Sequence, residues 1–142
     1  MRAGTENLYG IVGFAKALEI AETNMDKDSQ YIQSLKTYMI DKLQEEIPGV
    51  RFNGDYNGKS LYAVLNVSFP KTERSEMILF NLDINNICAS GGSACSSGAD
   101  VGSHVIRAIN NDPNRVPVRF SFSKHNTTAE IDTVVEKLKE II

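Results

Sequence analysis

Tryptophan is absent, and cysteine, histidine and proline are scarce: two, two and four among 142 residues. Cys88 and Cys95 are too few for a disulfide framework, and no second Cys/His pair completes a zinc site. A reducing, cytoplasmic compartment is the simplest expectation. Four prolines and ten glycines, beside 42% hydrophobic and 23% charged residues, exclude a collagen-like or disordered chain. Positive charge is not in excess. The net charge is −3 and the pI about 5.4, so a nucleic-acid partner would find no electrostatic footprint. The longest apolar runs, such as Met77-Ile78-Leu79-Phe80, fall far short of a membrane span. No charged-then-apolar leader opens the sequence. What remains is 142 residues, the usual size of one domain. Such a domain buries about two thirds of the surface its unfolded chain exposes and needs no staple. A catalytic machine holding its own cofactor usually needs more chain.

The hydrophobic pattern predicts alternating helices and strands. Leu8, Ile11, Val12, Ala15 and Leu18 recur at spacings of three and four, an amphipathic helix over 8–22 with Thr5 placed as its N-cap. Gly10 and Gly13 weaken that helix and suggest close approach of another backbone. A second helix is expected over 26–46, ended by Pro48-Gly49. The period then shortens. Val50–Phe52 reads as a short strand, Leu61–Phe69 as a half-buried one, and Asn86–Ala89 as another. Glu73–Leu82 reads as a short helix between them. Val116, Val118, Phe120 and Phe122 mark another strand, in which Pro117 implies either an edge position or a place among the strand's first residues. Thr127-Thr128-Ala129-Glu130 is a capping box opening a helix to Ile142. With no repeats and no low-complexity linker, the expected fold is one α+β domain.

Ser90-Gly91-Gly92-Ser93-Ala94-Cys95-Ser96-Ser97-Gly98 stands apart. Glycines and serines offer no apolar face to bury, so an exposed loop is expected. At ~3.3 Å per extended residue, Cys95 could reach roughly 20 Å from Cys88. A phosphate-cradling P-loop is excluded because no Gly-Lys-Ser/Thr follows the glycines. Free cysteine is often a small buried residue, but Cys95 has only Ala94 as an apolar neighbour. A nucleophilic thiol must be ionised, and no cation stands in the loop. His104, nine positions on, could serve only if the fold returns it; otherwise the activating group lies outside this chain. Cys88, within apolar residues, reads as structural. Arg119 faces away from Val118 and Phe120, beside Ser121, and a guanidinium suits a carboxylate with two parallel hydrogen bonds. An ordinary surface or ion-paired arginine fits that pattern equally. Asn7, Asn66 and His104 are weaker polar candidates, better read as cap or turn residues.

Six segments in this order carry a family resemblance: Arg2–Asn7 (RAGTEN), Leu65–Pro70 (LNVSFP), Ser90–Gly98, Ser103–Ala108 (SHVIRA), Val118–Ser121 (VRFS) and Thr127–Asp132. Together they resemble the cysteine desulfurases of the NifS/IscS type, within the class V aminotransferase superfamily, over nearly the whole chain. The resemblance implies an enzyme that uses pyridoxal phosphate (PLP) to hold L-cysteine, with the ring as electron sink. It implies that Cys95 takes the substrate sulfur as a persulfide and leaves L-alanine, and that Arg119 grips the substrate carboxylate. It implies that Thr5 donates to the PLP phosphate of a neighbouring subunit, so the complete enzyme is a homodimer. Its sulfur would pass to an acceptor such as an iron–sulfur scaffold.

The chain departs from the family at Gly91, where serine is usual and where the change should only loosen the loop, and at Phe122–Asn126. No lysine here follows the family's Ser-x-His-Lys pattern. The resemblance therefore implies the C-terminal small domain of a fold-type I PLP enzyme, a short mixed or antiparallel sheet packed against helices. Residues 1–23 would be a connecting helix and 24–142 an α/β body, with the large PLP-binding domain absent and the fragment inactive alone. A stand-alone persulfide carrier, and a selenocysteine lyase or aminotransferase of the same superfamily, are the competing readings.

Overall fold

The computed structural model describes residues 4–91, 103–109 and 112–142. The two amphipathic stretches at its start join into one helix of 39 residues, α1 (Leu8–Glu46). No glycine or proline separates them. Thr23 Oγ1 and Asn24 Nδ2 each donate at 2.8 Å to a carbonyl one turn back, of Glu19 and Ile20, so the polar junction stays helical. Asn7 caps the helix in place of Thr5, its Oδ1 accepting from the Gly10 amide at 3.0 Å. A Cβ on Gly10 would stand 2.8 Å from Asn7 Nδ2, so this glycine makes room for the cap and not for another backbone.

At ~1.5 Å per residue α1 is about 58 Å long, longer than a compact domain of this size is wide. Its second half buries Ile32, Leu35, Met39, Ile40 and Leu43. Along its first half Leu8, Ile11, Val12, Phe14 and Leu18 are each more than half exposed. The predicted apolar stripe is present, but no described residue covers it. Periodicity reports an apolar face; it does not report what lies against that face.

The sheet is three-stranded and antiparallel, in the order β1 (Arg51–Phe52), β2 (Val64–Pro70), β3 (Arg115–Ser121). β2 begins at Val64, because Leu61 is exposed and its carbonyl accepts a turn hydrogen bond from the Val64 amide. Leu65, Val67 and Phe69 of β2 and Val118 and Phe120 of β3 are buried. They share one core with α1, with Ile78 and Leu82 of α2 (Ile78–Ile84), and with Ile131, Val135, Leu138 and Ile141 of the last helix. β3 is an edge strand of this sheet, the first of the two places Pro117 allowed, and among the described residues its outer side is touched by one bridge, from Ser90.

A 3-10 turn at Ser75–Met77 precedes α2, which runs two residues past its expected end. Its stop explains why no strand forms at 86–89. Asn86 takes a left-handed φ of 60°, its amide donates to Asp83, and the Ile87 amide donates back to Leu82, both at 2.9 Å. This Schellman motif consumes the first half of the expected strand. Cys88 is consequently exposed and not a structural core residue. After a short helix, α3 (His104–Ile109), and β3, the chain ends in α4 (Thr128–Ile141). Its capping box is formed as expected: the Glu130 amide donates to Thr127 Oγ1 at 3.3 Å and the Thr127 amide to Glu130 Oε2 at 2.7 Å. The architecture is α+β, with a short antiparallel sheet packed against helices.

One core position is charged. Lys36 is 1% exposed, and its Nζ donates to Ser60 Oγ at 2.8 Å and to the Leu61 carbonyl at 3.2 Å. Burial lowers its pKa, partly offset by Asp55. An amine whose folded pKa is depressed costs stability while charged, and that cost fades as pH rises from the depressed value to the ordinary one. Lys36→Met, which keeps the packed stem, should therefore unfold at or about 3 °C above the parent at pH 7. Its advantage should shrink as the buffer approaches pH 10. A thermal midpoint several degrees below the parent, or a gap that ignores pH, would refute this account.

Candidate active site

The strand alternation that buries Val118 and Phe120 turns Arg119 to the opposite face of the sheet. There it borders a hollow of about 340 Å³ with Asn53, Asn66, Ser103 and His104, roofed by Val105, Ile106 and Ile109 of α3. Among the described residues no carboxylate and no lysine lines this hollow. Its polar wall therefore offers a guanidinium, amides, a hydroxyl and an imidazole. Among the described residues no side chain pairs with the Arg119 guanidinium, which leaves its five N–H donors for a ligand.

The neighbouring arginine on β3 shows the contrast. Arg115 Nε donates to Ser68 Oγ at 3.2 Å, and its Nη2 donates to the carbonyls of Gly49, at 2.6 Å, and of Ser68. Burial and the nearby Arg51 lower its pKa. Arg115 is spent on tying β2 and the turn after α1 to β3. Arg119, four residues on, has no such employment.

The backbone behind Arg119 is fixed on both sides. Asn66 is its register partner on β2, and Ser90 exchanges two backbone hydrogen bonds with it, at 2.6 and 3.1 Å. Ser90 opens the segment that carries Cys95, so that segment starts at the edge of the Arg119 hollow. Cys95 itself lies outside the described residues, as do Arg2 and Ala3. Gly91 also borders the hollow, and a Cβ there would stand 2.7 Å from Leu79 Cδ1. Its glycine thus lets the chain pass close over α2, a packing role beyond the loosening expected from sequence.

The fold places His104 on the Arg119 hollow; its expected return to the Cys95 thiol falls on residues outside those described. Thr5 is exposed two residues ahead of the α1 cap and does not border the hollow. Ser121, expected beside Arg119, lines a different hollow of about 420 Å³ together with Cys88, Phe122, Asn126 and Glu130. Asn53 was not legible as a site residue, because only the β1–β2 pairing places it level with Asn66. Asn66 carried one signal in the sequence: a polar side chain in the outward register of β2.

PLP needs a lysine for its aldehyde, an acid for its ring nitrogen and donors for its phosphate. The described residues of the hollow include neither the lysine nor the acid, so they do not fit the whole cofactor. They fit an anion bound at one end of a larger site. Among the described residues no group of three or more His, Cys, Asp or Glu is placed to hold a metal, and no helix is long and apolar enough to cross a membrane.

The family model for "Aminotransferase class-V" matches residues 1–134. A cysteine desulfurase IscS of Dictyoglomus turgidum is 36% identical over 148 residues, covering 99% of this chain and 36% of that protein. A cysteine desulfurase of Nostoc sp. is 38% identical over 143 residues, with 99% and 35% covered. Among solved structures, a NifS-like protein from Rickettsia africae superposes with a TM-score of 0.71 at 28% identity, covering 99% of this chain and 36% of that one. Another NifS-like protein superposes at 0.74 with the same identity. The chain thus spans little more than a third of the length of these relatives. It belongs to the class-V aminotransferase family, where its likeness is to the NifS/IscS-type cysteine desulfurases.

Proposed function

We propose that these residues form the small domain of a PLP-dependent cysteine desulfurase. In it L-cysteine becomes L-alanine and its sulfur passes to Cys95. The observation that carries this reading is the Arg119 guanidinium, unpaired by any described side chain, in a hollow that no described acid lines. It is a receptor for the carboxylate of an amino acid. PLP supplies, when bound, an electron sink for the substrate carbons. This chain's part is to hold the carboxylate and to present the thiol. The Cys95 thiolate attacks the substrate sulfur, an S–S bond forms, and the Cβ–S bond breaks. The electron pair stays with carbon, which takes up a proton, and alanine leaves.

Three observations support a preceding large domain that holds the cofactor: the partial span of the relatives, the absence of lysine and acid among the described residues of the hollow, and the exposed apolar stripe of α1. In that reading residues 1–23 connect the domains and the fragment is inactive alone. Thr5, exposed ahead of α1, donates to the PLP phosphate of a second subunit in a homodimer. The sulfur leaves Cys95 for an acceptor such as an iron–sulfur scaffold, in the cytoplasm.

The test uses the complete protein, this chain joined to the residues that precede it, loaded with PLP and given L-cysteine. Alkylation and mass spectrometry should find one added sulfur on the Cys95 peptide and one alanine released for each. Alanine without sulfur on Cys95 would overturn the reading, and so would sulfide released by residues 1–142 alone.

A further inference from the structure

Four polar residues stand level across one face of the sheet. Asn53 follows β1, Asn66 lies in β2, Arg119 in β3, and Ser90 pairs with the outer edge of β3. Antiparallel partners are about 5 Å apart at Cα, so neighbouring side chains in this row can meet one ligand group. The Asn53 amide donates to the Asn66 carbonyl at 3.0 Å, and Asn53 Nδ2 donates to Asn66 Oδ1 at 2.7 Å. The second bond occupies the acceptor end of the Asn66 side chain. Its NH2 end donates to no other described residue, and Asn66 borders the same hollow as Arg119.

We propose that Asn66 is a second donor to the carboxylate that Arg119 grips, and that Asn53 is the positioning residue that keeps its NH2 end toward the ligand. This rests on reading the hollow as the amino-acid site. The chemistry follows from the donor inventory. An ionised carboxylate only accepts, with about four lone-pair sites on two oxygens. The planar fork of Arg119 satisfies two of them and leaves the group free to tilt about that edge. A neutral amide donor from the next strand removes the tilt and orients the α-carbon. The same arrangement rejects a carboxamide, which would put an NH2 against one of these donors. Without Asn53, the Asn66 amide could rotate and present its oxygen to the carboxylate.

The complete protein again serves for the test. Asn66→Asp replaces the donor by an acceptor without changing shape. It should raise the KM for L-cysteine about 10- to 30-fold, the worth of one hydrogen bond to a charged group, and leave kcat within about threefold. Inhibition by L-alanine and by L-alaninamide provides a readout that mere loosening of the fold would not move. The parent's preference for alanine should fall by about tenfold. Asn53→Asp, whose carboxylate accepts from the Asn66 NH2 and turns its oxygen into the hollow, should shift KM and preference the same way. An unchanged KM and preference in a folded Asn66→Asp would overturn the proposal. If that variant fails to fold, the same result in Asn53→Asp overturns it. Arg119→Ala separates the two claims. A raised KM there with no effect at Asn66 refutes only this proposal, while no effect at either residue refutes the carboxylate site itself.

Discussion

Cys95→Ser in the complete protein should lower alanine formation from L-cysteine by about 10³-fold or more, ~4 kcal/mol of transition-state stabilisation. A hydroxyl is far less ionised than a thiol at neutral pH and makes no stable bond to sulfur, so the step that breaks the Cβ–S bond loses its nucleophile. Binding of L-cysteine should change by less than about threefold, because the carboxylate contacts lie elsewhere. Cys88→Ser is the matched control. Cys88 is exposed, but it lines the hollow of Phe120 and Glu130 and not that of Arg119, so activity should be retained. Parent-like alanine formation by the Cys95 variant would remove the thiol from the reaction. A loss at Cys88 equal to that at Cys95 would assign the chemistry to the wrong cysteine.

The elements with strong periodicity were readable from residues alone. α4 has its stripe and its capping box within one segment, so nothing outside it was needed to place it. β3 carried a clean alternation, and the single proline in it limited its place in the sheet. The errors fell where local signals compete. Two helices, over 8–22 and 26–46, were expected where one runs: at their junction Thr23 and Asn24, side chains that often favour turns, each bond back to a carbonyl. Asn86-Ile87-Cys88-Ala89 has the composition of a strand, but the left-handed Asn86 closes α2 first. The exposure of Cys88 follows from that one backbone choice.

The site was legible in its charge and not in its company. A guanidinium in the outward register of an apolar strand is visible in sequence, and so is a thiol among serines and glycines. What separates Arg119 from Arg115 is not visible there. Both occupy the same face of one strand, and only the fold shows that Arg115 reaches the Gly49 and Ser68 carbonyls while Arg119 meets none. His104 stands fifteen positions from Arg119 in sequence, and Asn53 stands sixty-six away. Sheet pairing and the placement of α3 bring both to one hollow. Those are long-range consequences of packing, which no local pattern encodes.

That difference between two arginines gives the sharpest test of the carboxylate site. Arg119→Ala in the complete protein should reduce kcat/KM for L-cysteine about 10²- to 10³-fold, ~3–4 kcal/mol, with most of the change in KM. Arg119→Lys should recover little of it, because an ammonium meets a carboxylate as a point charge and cannot reproduce two parallel hydrogen bonds. Stability should barely change, since the guanidinium holds no other described side chain in place. Arg115→Ala should behave in the opposite way. Its loss strands the Gly49 and Ser68 carbonyls and frees the turn after α1, so the thermal midpoint should fall while KM stays near the parent's. The two arginines are four residues apart on one strand, so neither general damage to β3 nor a change in net charge can produce this crossed pattern. A kcat/KM within threefold of the parent in Arg119→Ala would leave the hollow without a substrate, and a raised KM in Arg115→Ala with an unchanged midpoint would move the site four residues along β3.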